Sequence, residues 1–459
     1  MINFYVKFVK FVLAVSAFGS TVFAQSWTPI GSPGVSAGTV DYTKIAISKS
    51  GTPYIAYMDT LNSRKATVMK YDGTNWVLVG GMTASTGPVN YISMAIDKAG
   101  TPYVAFSDAS TLNKVTVTKF NGSSWVTVGS TGFSCAQADY TTLAIDSIGT
   151  PYVAYIDWST STLAATVMKF NGSSWVTVGS AGFSAGHAGF TSIAINATGT
   201  PYVIYCDLPN SQKATVMKFD GSSWVNVGSP GFSSGWVNYT SIAIDRSGMP
   251  YVVFQNNDAM GIGIDVMKFT GSSWVSVDSI GSIVHGGVAF ATIVLDSSGS
   301  PYVACLDYGS SQRASVLKHT GSGWVTLGVS GFTPGKALYT SIALDGSGTP
   351  YLVYKDGANG YKATVQKFVS GTEVEDISDT RISFSVFPNP NLGIFTVTIS
   401  SARNENATII VTNILGQQVK KLTTPTNMST QIQVSVVPGI YFITAVTKNA
   451  RETVKLVVE

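Results

Sequence analysis

The sequence predicts an all-β protein: a seven-bladed β-propeller closed by its own N-terminal strand, followed by a small Ig-like β-sandwich. Three observations carry this expectation. Seven tryptophans, Trp27, Trp76, Trp125, Trp175, Trp224, Trp274 and Trp324, recur at intervals of 49 or 50 residues, which marks one supersecondary unit repeated along the chain. Each copy holds four short strand-like segments separated by turn residues. The two ends are also out of phase. The chain opens with a lone fourth segment around Trp27, and the seventh copy stops after its third segment at Phe368. An open solenoid has no use for this offset, whereas a ring pairs the leading strand into the last blade and removes exposed edges.

Within one copy, the fourth, the segments are Thr191–Ile195, Pro201–Cys206, Ala214–Phe219 and Trp224–Gly228. The link Asn196-Ala197-Thr198-Gly199-Thr200 is a tight hairpin, because an Asn side chain bonds the backbone two residues on and Gly accepts positive φ. Asp220-Gly221-Ser222-Ser223 forms the second such turn. Each recurring Trp can bury ~150–250 Å² against the neighbouring blade, an upper bound of roughly 4–6 kcal/mol. The Trp column is therefore structural, and so is the lysine column of Lys70, Lys119, Lys169, Lys218, Lys268, Lys318 and Lys367.

Comparing the copies separates the two faces of the ring. The first-to-second and third-to-fourth hairpins lie on one face and barely vary. The second-to-third loop and the blade-to-blade link lie on the other, where the copies diverge. Directly after the second strand stand Thr60, Ala109, Trp158, Leu208, Asn257, Tyr308 and Gly357; in the link stand Thr39, Pro88, Gln137, His187, Trp236, Gly287 and Lys336. Uniform turns serve folding, while loops on a rigid scaffold carry function. Trp158, Trp236, Tyr308 and His187 are thus the candidate ligand-binding residues, since aromatic side chains offer rigid stacking area to sugars or peptides. A ring of Asp59, Asp108, Asp157, Asp207, Asn256, Asp307 and Asp356 ends the second strands. These side chains either border the central channel, offering oxygens to a cation or polar ligand, or cap their own loops.

Composition narrows the function. Charged residues make up 12% of the 459 and the formal net charge is +3, too little to point to a nucleic-acid or membrane-surface partner. The three cysteines, Cys135, Cys206 and Cys305, fall out of repeat register, which argues against a disulfide framework. His187, His285 and His319 lie in separate copies, no HExxH or Cys-rich metal spacing occurs, and no GxSxG leads into a helical pattern as a nucleophile elbow would. No catalytic residue, metal site or cofactor is therefore assigned. Extra acids that break the repeat, Asp139, Asp258 and Asp265, are scattered along the chain.

The two ends speak about destination. Residues 1–24 read as a signal peptide, with Lys7 and Lys10 before the apolar Phe11–Phe18 and a Val22-Phe23-Ala24 cleavage pattern. No other stretch is long and apolar enough to cross a membrane as a helix. The propeller occupies residues 25–368, an acidic linker 369–383, and a sandwich of alternating apolar runs 384–459. The runs are Phe395–Ile399, Thr408–Val411, Ile432–Val436, Ile440–Val446 and Val454–Val458. Within them, Pro388-Asn389-Pro390, Gly393, the turn at Gly416, Gly439 with Tyr441, and the terminal Lys455 segment follow one another in order. In these motifs the tail resembles the type IX secretion system C-terminal sorting domain (type A) of Bacteroidota. The resemblance implies Sec export, passage through the outer membrane by the type IX machinery and removal of the tail, leaving the propeller released or attached to the cell surface. The expectation is a secreted or surface-exposed module that binds glycan or protein; the alternatives are a polysaccharide-active lyase or hydrolase and a structural surface protein.

Overall fold

Runs of β-branched and aromatic residues broken by Asx-Gly turns give every repeat four antiparallel strands. The computed structural model describes residues 26–259, 261–278, 286–370, 382–401, 404–447 and 451–459. Residues 1–24, expected to be a signal peptide, most of the linker and His285 lie outside them. The chain divides into two compact units, Met1–Ser370 and Gly371–Glu459.

In the first unit seven four-stranded sheets follow one another. Blade one consists of Val40–Ile47, Pro53–Asp59, Lys65–Tyr71 and Trp76–Leu78, from the innermost strand outward. The seventh sheet joins Ala337–Leu344, Pro350–Asp356 and Lys362–Val369 to the N-terminal strand Ser26–Pro29. Trp27 stands opposite Phe368, as Trp125 stands opposite Phe120 in blade two. The leading strand thus closes the ring in the register of an ordinary fourth strand.

The second strand is buried along its whole length in four blades, for example Pro151–Asp157. Both of its faces pack against other strands, so its sequence is continuously apolar rather than alternating. The Trp column stitches blade to blade. Each indole N–H donates to a carbonyl of the preceding blade: Trp125 to Val79 at 2.9 Å, Trp175 to Val128 at 2.7 Å and Trp224 to Val178 at 2.7 Å. The series passes through the closure without a gap, Trp27 donating to Leu327 and Trp76 to Ile30, both at 2.8 Å. Four members of the lysine column, Lys119, Lys169, Lys318 and Lys367, lie over tyrosine rings of the second strands, Lys318 at 4.8 Å from the Tyr302 centroid.

Two details depart from the sequence expectation. Inner strands begin about three residues earlier, Ala188–Ile195 in blade four, because a bulge interrupts the pairing between Gly189 and Ser192 and its equivalents in every blade. Blade five has a longer central hairpin, Pro250–Asp258 and Gly261–Phe269.

The second unit is a two-sheet sandwich around a core that includes Phe395, Val397, Ile409, Ile443 and Leu456. One sheet holds Ser383–Phe387, Ile394–Ser400 and Ser429–Gln433; the other holds Gln418–Pro425, Asn406–Asn413, Gly439–Val446 and Arg451–Val458. The sequence motifs of the tail meet here. Asn389 donates to the Lys455 carbonyl at 2.7 Å and accepts from the Val457 N–H at 2.8 Å. Gly393 has φ 86°, and a Cβ there would stand 2.7 Å from the Val434 carbonyl oxygen. Tyr441 is buried and its hydroxyl donates to Val437 at 2.9 Å.

Candidate binding face and axial channel

The bulge in each inner strand turns one side chain out of the sheet. That residue is aromatic in all seven blades, Tyr42, Tyr91, Tyr140, Phe190, Tyr239, Phe290 and Tyr339, and each has a positive φ between 49° and 56°. The bulge's extra residue takes the left-handed conformation that bulky side chains otherwise avoid. The seven rings meet tilted against one another in a closed collar. Successive centroids are 5.5, 5.1, 4.7, 5.2, 4.9 and 4.7 Å apart, and Tyr339 returns to Tyr42 at 5.3 Å. Tilted contacts at this distance suit the ring quadrupole. Threonines beside the collar tie it across blades, Thr191 donating to the Tyr140 carbonyl at 2.6 Å and Thr340 to that of Phe290 at 2.8 Å. Burial raises the collar phenols above their ordinary pKa; Tyr339, with Asp41 nearby, is pushed up to about 12.

A cavity of about 210 Å³ lies on the axis, lined by the collar and by residues one and two positions further along the inner strands. At the second of these positions six blades carry Ser or Thr, but blade one carries Lys44. Burial lowers the pKa of its ammonium.

On the variable face, Trp158 is 47% exposed, Trp236 43% and Tyr308 48%. Trp158 is clamped: its indole N–H donates to Asp139 at 2.8 Å, and Gln137 donates to the other Asp139 oxygen at 3.2 Å. Tyr308 reaches toward the collar, where, after burial, its phenol is the next cause of the raised pKa of Tyr239. His187 is half-buried, and its carbonyl accepts from the Leu208 N–H at 3.1 Å. The four stand on successive blades, three to six, as an arc around the rim. Leu61, Leu112, Ile262 and Tyr361 add exposed apolar side chains on the same face.

The aspartate ring does not border the axial cavity, which corrects one of the two expectations for it. All seven members are at most 4% exposed, and each turns into its own loop. Asp356 accepts from the Ala358 N–H at 2.9 Å, the Asn359 amide at 2.8 Å and the Thr364 hydroxyl at 2.7 Å. Asp108 and Asp157 repeat the pattern with Thr116 and Thr166.

Blade five exchanges this pair. Asn256 replaces the aspartate, and Asp265 replaces the threonine that would face it; the Asn256 amide donates to Asp265 at 2.9 Å and to Asp258 at 3.2 Å. The acids Asp258 and Asp265, scattered in sequence, therefore converge on one amide, whereas Asp139 stands apart beneath Trp158. Burial raises the Asp265 carboxyl pKa, the neighbouring Asp258 charge adds to this, and the Asn256 hydrogen bond opposes it. Trp236 lies opposite Asn257, one residue from this cluster.

The collar, Lys44 and the Asn256–Asp265 exchange were not singled out from the sequence. The signal for each was a column of the repeat: an aromatic in every copy, one lysine among hydroxyls, and a paired substitution nine residues apart. Among the described residues, no group of three or more His, Cys, Asp or Glu is placed to hold a metal ion, and no helix is long and apolar enough to cross a membrane.

Residues 385–459 match the family described as the secretion system C-terminal sorting domain. No curated protein sequence matches the chain. Among solved structures, the chain is similar to a polysaccharide lyase, an ulvan lyase, with a TM-score of 0.49 and 12% identity over 72% of this chain and 94% of that one. The Aleuria aurantia lectin in complex with Fucα1-6GlcNAc has a TM-score of 0.45 and 17% identity, over 64% of this chain and 97% of that one. A Penicillium chrysogenum α-L-arabinanase complexed with arabinobiose has a TM-score of 0.41 and 11% identity, over 62% and 94%. The tail supports export through a type IX secretion system, as a secreted or cell-surface protein.

Proposed function

We propose that the ring is an extracellular binding module, lectin-like or adhesive, whose variable face takes a glycan or protein ligand. Under this reading residues 1–24 direct Sec export, the type IX machinery of a Bacteroidota cell recognises the tail through its Pro388–Pro390, Gly393, Gly416, Gly439, Tyr441 and Lys455 motifs, and cleavage within 369–383 frees the ring. The observation that carries the reading is Trp158, an indole held by Asp139 with nearly half of its surface open. A stacking platform fixed before binding loses little entropy when a sugar or side chain settles on it. Trp158→Ala and Trp236→Ala lower affinity by about tenfold or more on a glycan array or in a pull-down, since aromatic anchors carry about 2 kcal/mol or more. Wild-type binding in both variants removes this site.

A second reading, a polysaccharide lyase or hydrolase, draws on the Asp258–Asn256–Asp265 cluster beside Trp236. A carboxyl with a raised pKa is a candidate proton donor. Turnover of a polysaccharide by the mature ring, abolished by Asp265→Asn with the fold intact, would place this reading first.

A further inference from the structure

Lys44 is the one position where the channel wall breaks its own repeat. Its counterparts are Ser93, Thr142, Ser192, Ser241, Thr292 and Ser341. The hydroxyls of Ser93, Ser192, Ser241 and Ser341 accept backbone N–H groups of the next blade, from Leu143 at 3.0 Å, Ile242 at 3.3 Å, Ile293 at 3.3 Å and Ile45 at 3.4 Å. Of these, Ser192 and Ser241 line the cavity, and each keeps its own proton to donate there. The buried hydroxyl oxygens of Thr142 and Thr292 have no partner. Among the described residues no carboxylate is within ion-pair distance of Lys44, and the nearest in sequence, Asp41, is engaged by Lys355 at 2.6 Å. Lys44 is half-buried on the channel wall, where an ammonium desolvated without a counter-charge is costly, as are unsatisfied hydroxyls. A serine or threonine would fill the slot, as it does in six blades.

We propose that the axial cavity is a binding site for one small oxyanion, a carboxylate, sulfate or phosphate group, held by the Lys44 ammonium and the hydroxyls of Thr142, Ser192, Ser241 and Thr292 that line the same wall. The wall offers one positive charge and, from blades three to six, an arc of O–H donors, with no carboxylate lining it. The collar covers the cavity with aromatic rings, where the local dielectric is low and a charge-assisted hydrogen bond is strong. The site is independent of the variable-face arc, and either can stand without the other.

Calorimetric titration of the full mature chain, in chloride of constant ionic strength, tests this with sulfate, inorganic phosphate, acetate and glucuronate as separate probes. Saturable binding of at least one probe is expected, weakened tenfold or more in Lys44→Thr and retained within about threefold in Lys44→Arg. Lys44→Thr installs the residue that blades three and six already carry, and Lys44→Met provides a second uncharged variant that keeps the side-chain length. Binding of sulfate or phosphate alone assigns a free ion. Binding of glucuronate as well assigns the acidic group of a sugar. No saturable heat with any probe, or equal affinity in wild type and both uncharged variants, overturns the proposal.

Discussion

Replacing Trp27 with alanine tests whether the ring is held shut by this side chain. Trp27 belongs to a strand joined to its blade only by pairing with Lys362–Val369, since no hairpin tethers it. Its ring stacks on Phe332 at 4.6 Å and 8°, tilts against Phe368 at 5.4 Å, and donates to Leu327 at 2.8 Å. About half of an indole's ~200 Å² returning to water costs roughly 2.5 kcal/mol. The stacking contact and the hydrogen bond add about 1 kcal/mol each. Trp27→Ala therefore destabilises by about 4.5 kcal/mol, a fall in Tm of roughly 9 °C at about 2 °C per kcal/mol for a domain of this size. Thermal melts should show this drop, and limited proteolysis should show cleavage near residues 26–30 before any other site. Trp224→Ala is the comparison: it removes the same indole from a strand tethered by a hairpin, so it lowers Tm without exposing the N-terminus. A Trp27→Ala protein that melts within about 1 °C of wild type, with a protected N-terminus, would refute the closure argument.

Other expectations follow from the same geometry. Asn256→Asp alone places a third carboxylate beside Asp258 and Asp265 and costs about 2–4 kcal/mol. Combined with Asp265→Thr it restores the arrangement of the other blades, so a denaturant double-mutant cycle should give a coupling of about 1–3 kcal/mol, and additivity would sink the exchange. Asp356→Ala strands two donors and a threonine hydroxyl and lowers stability by about 3 kcal/mol in urea melts. The collar phenols titrate above the ordinary tyrosine value of about 10, so the unfolded chain releases their protons first. The stability they add is thus complete below about pH 10 and is lost as pH climbs toward the raised value of Tyr339, about 12. Tyr339→Phe, which matches Phe190 and Phe290 in other blades, should make that alkaline slope shallower in pH-dependent melts.

The repeat made most of the fold legible. Seven noisy copies of one unit average out the ambiguity of any single strand, and the Trp27 offset identified the closing pair. The collar was harder to read. Propensity gives no reason to place a tyrosine at φ 56°, so the polar stretch before Tyr42 read as link rather than strand. In the tail, Gln418–Pro425 escaped notice because it is an edge strand with mostly exposed, polar residues and no apolar alternation. Asp258 and Asp265 read as scattered because the hairpin that joins them also shifts the acid from one strand to its partner. Only pairing register reveals such a trade. The aromatic arc was legible as loop variation, but the Asp139 clamp on Trp158 required the coordinates.

A closed ring places the same demands on every blade: an indole to the previous neighbour, a capped loop, an aromatic in the collar. Residues that answer these demands recur, and their recurrence is explained by packing alone. A single ligand on the axis, lacking sevenfold symmetry, gains no unique orientation from a column that repeats, because each blade would offer it the same contact in a different direction. Recognition must therefore reside in positions where one blade departs from the rest without loss of packing. Asn256 with Asp265 departs in a compensated way, so both exchanged side chains stay partnered. Lys44 departs uncompensated, leaving a charge that the ring itself does not neutralise, and Trp158 spends its one hydrogen bond on holding an open indole still. Departures of the last two kinds cost the fold something and return nothing to it, and for that reason they are where a binding partner is to be sought.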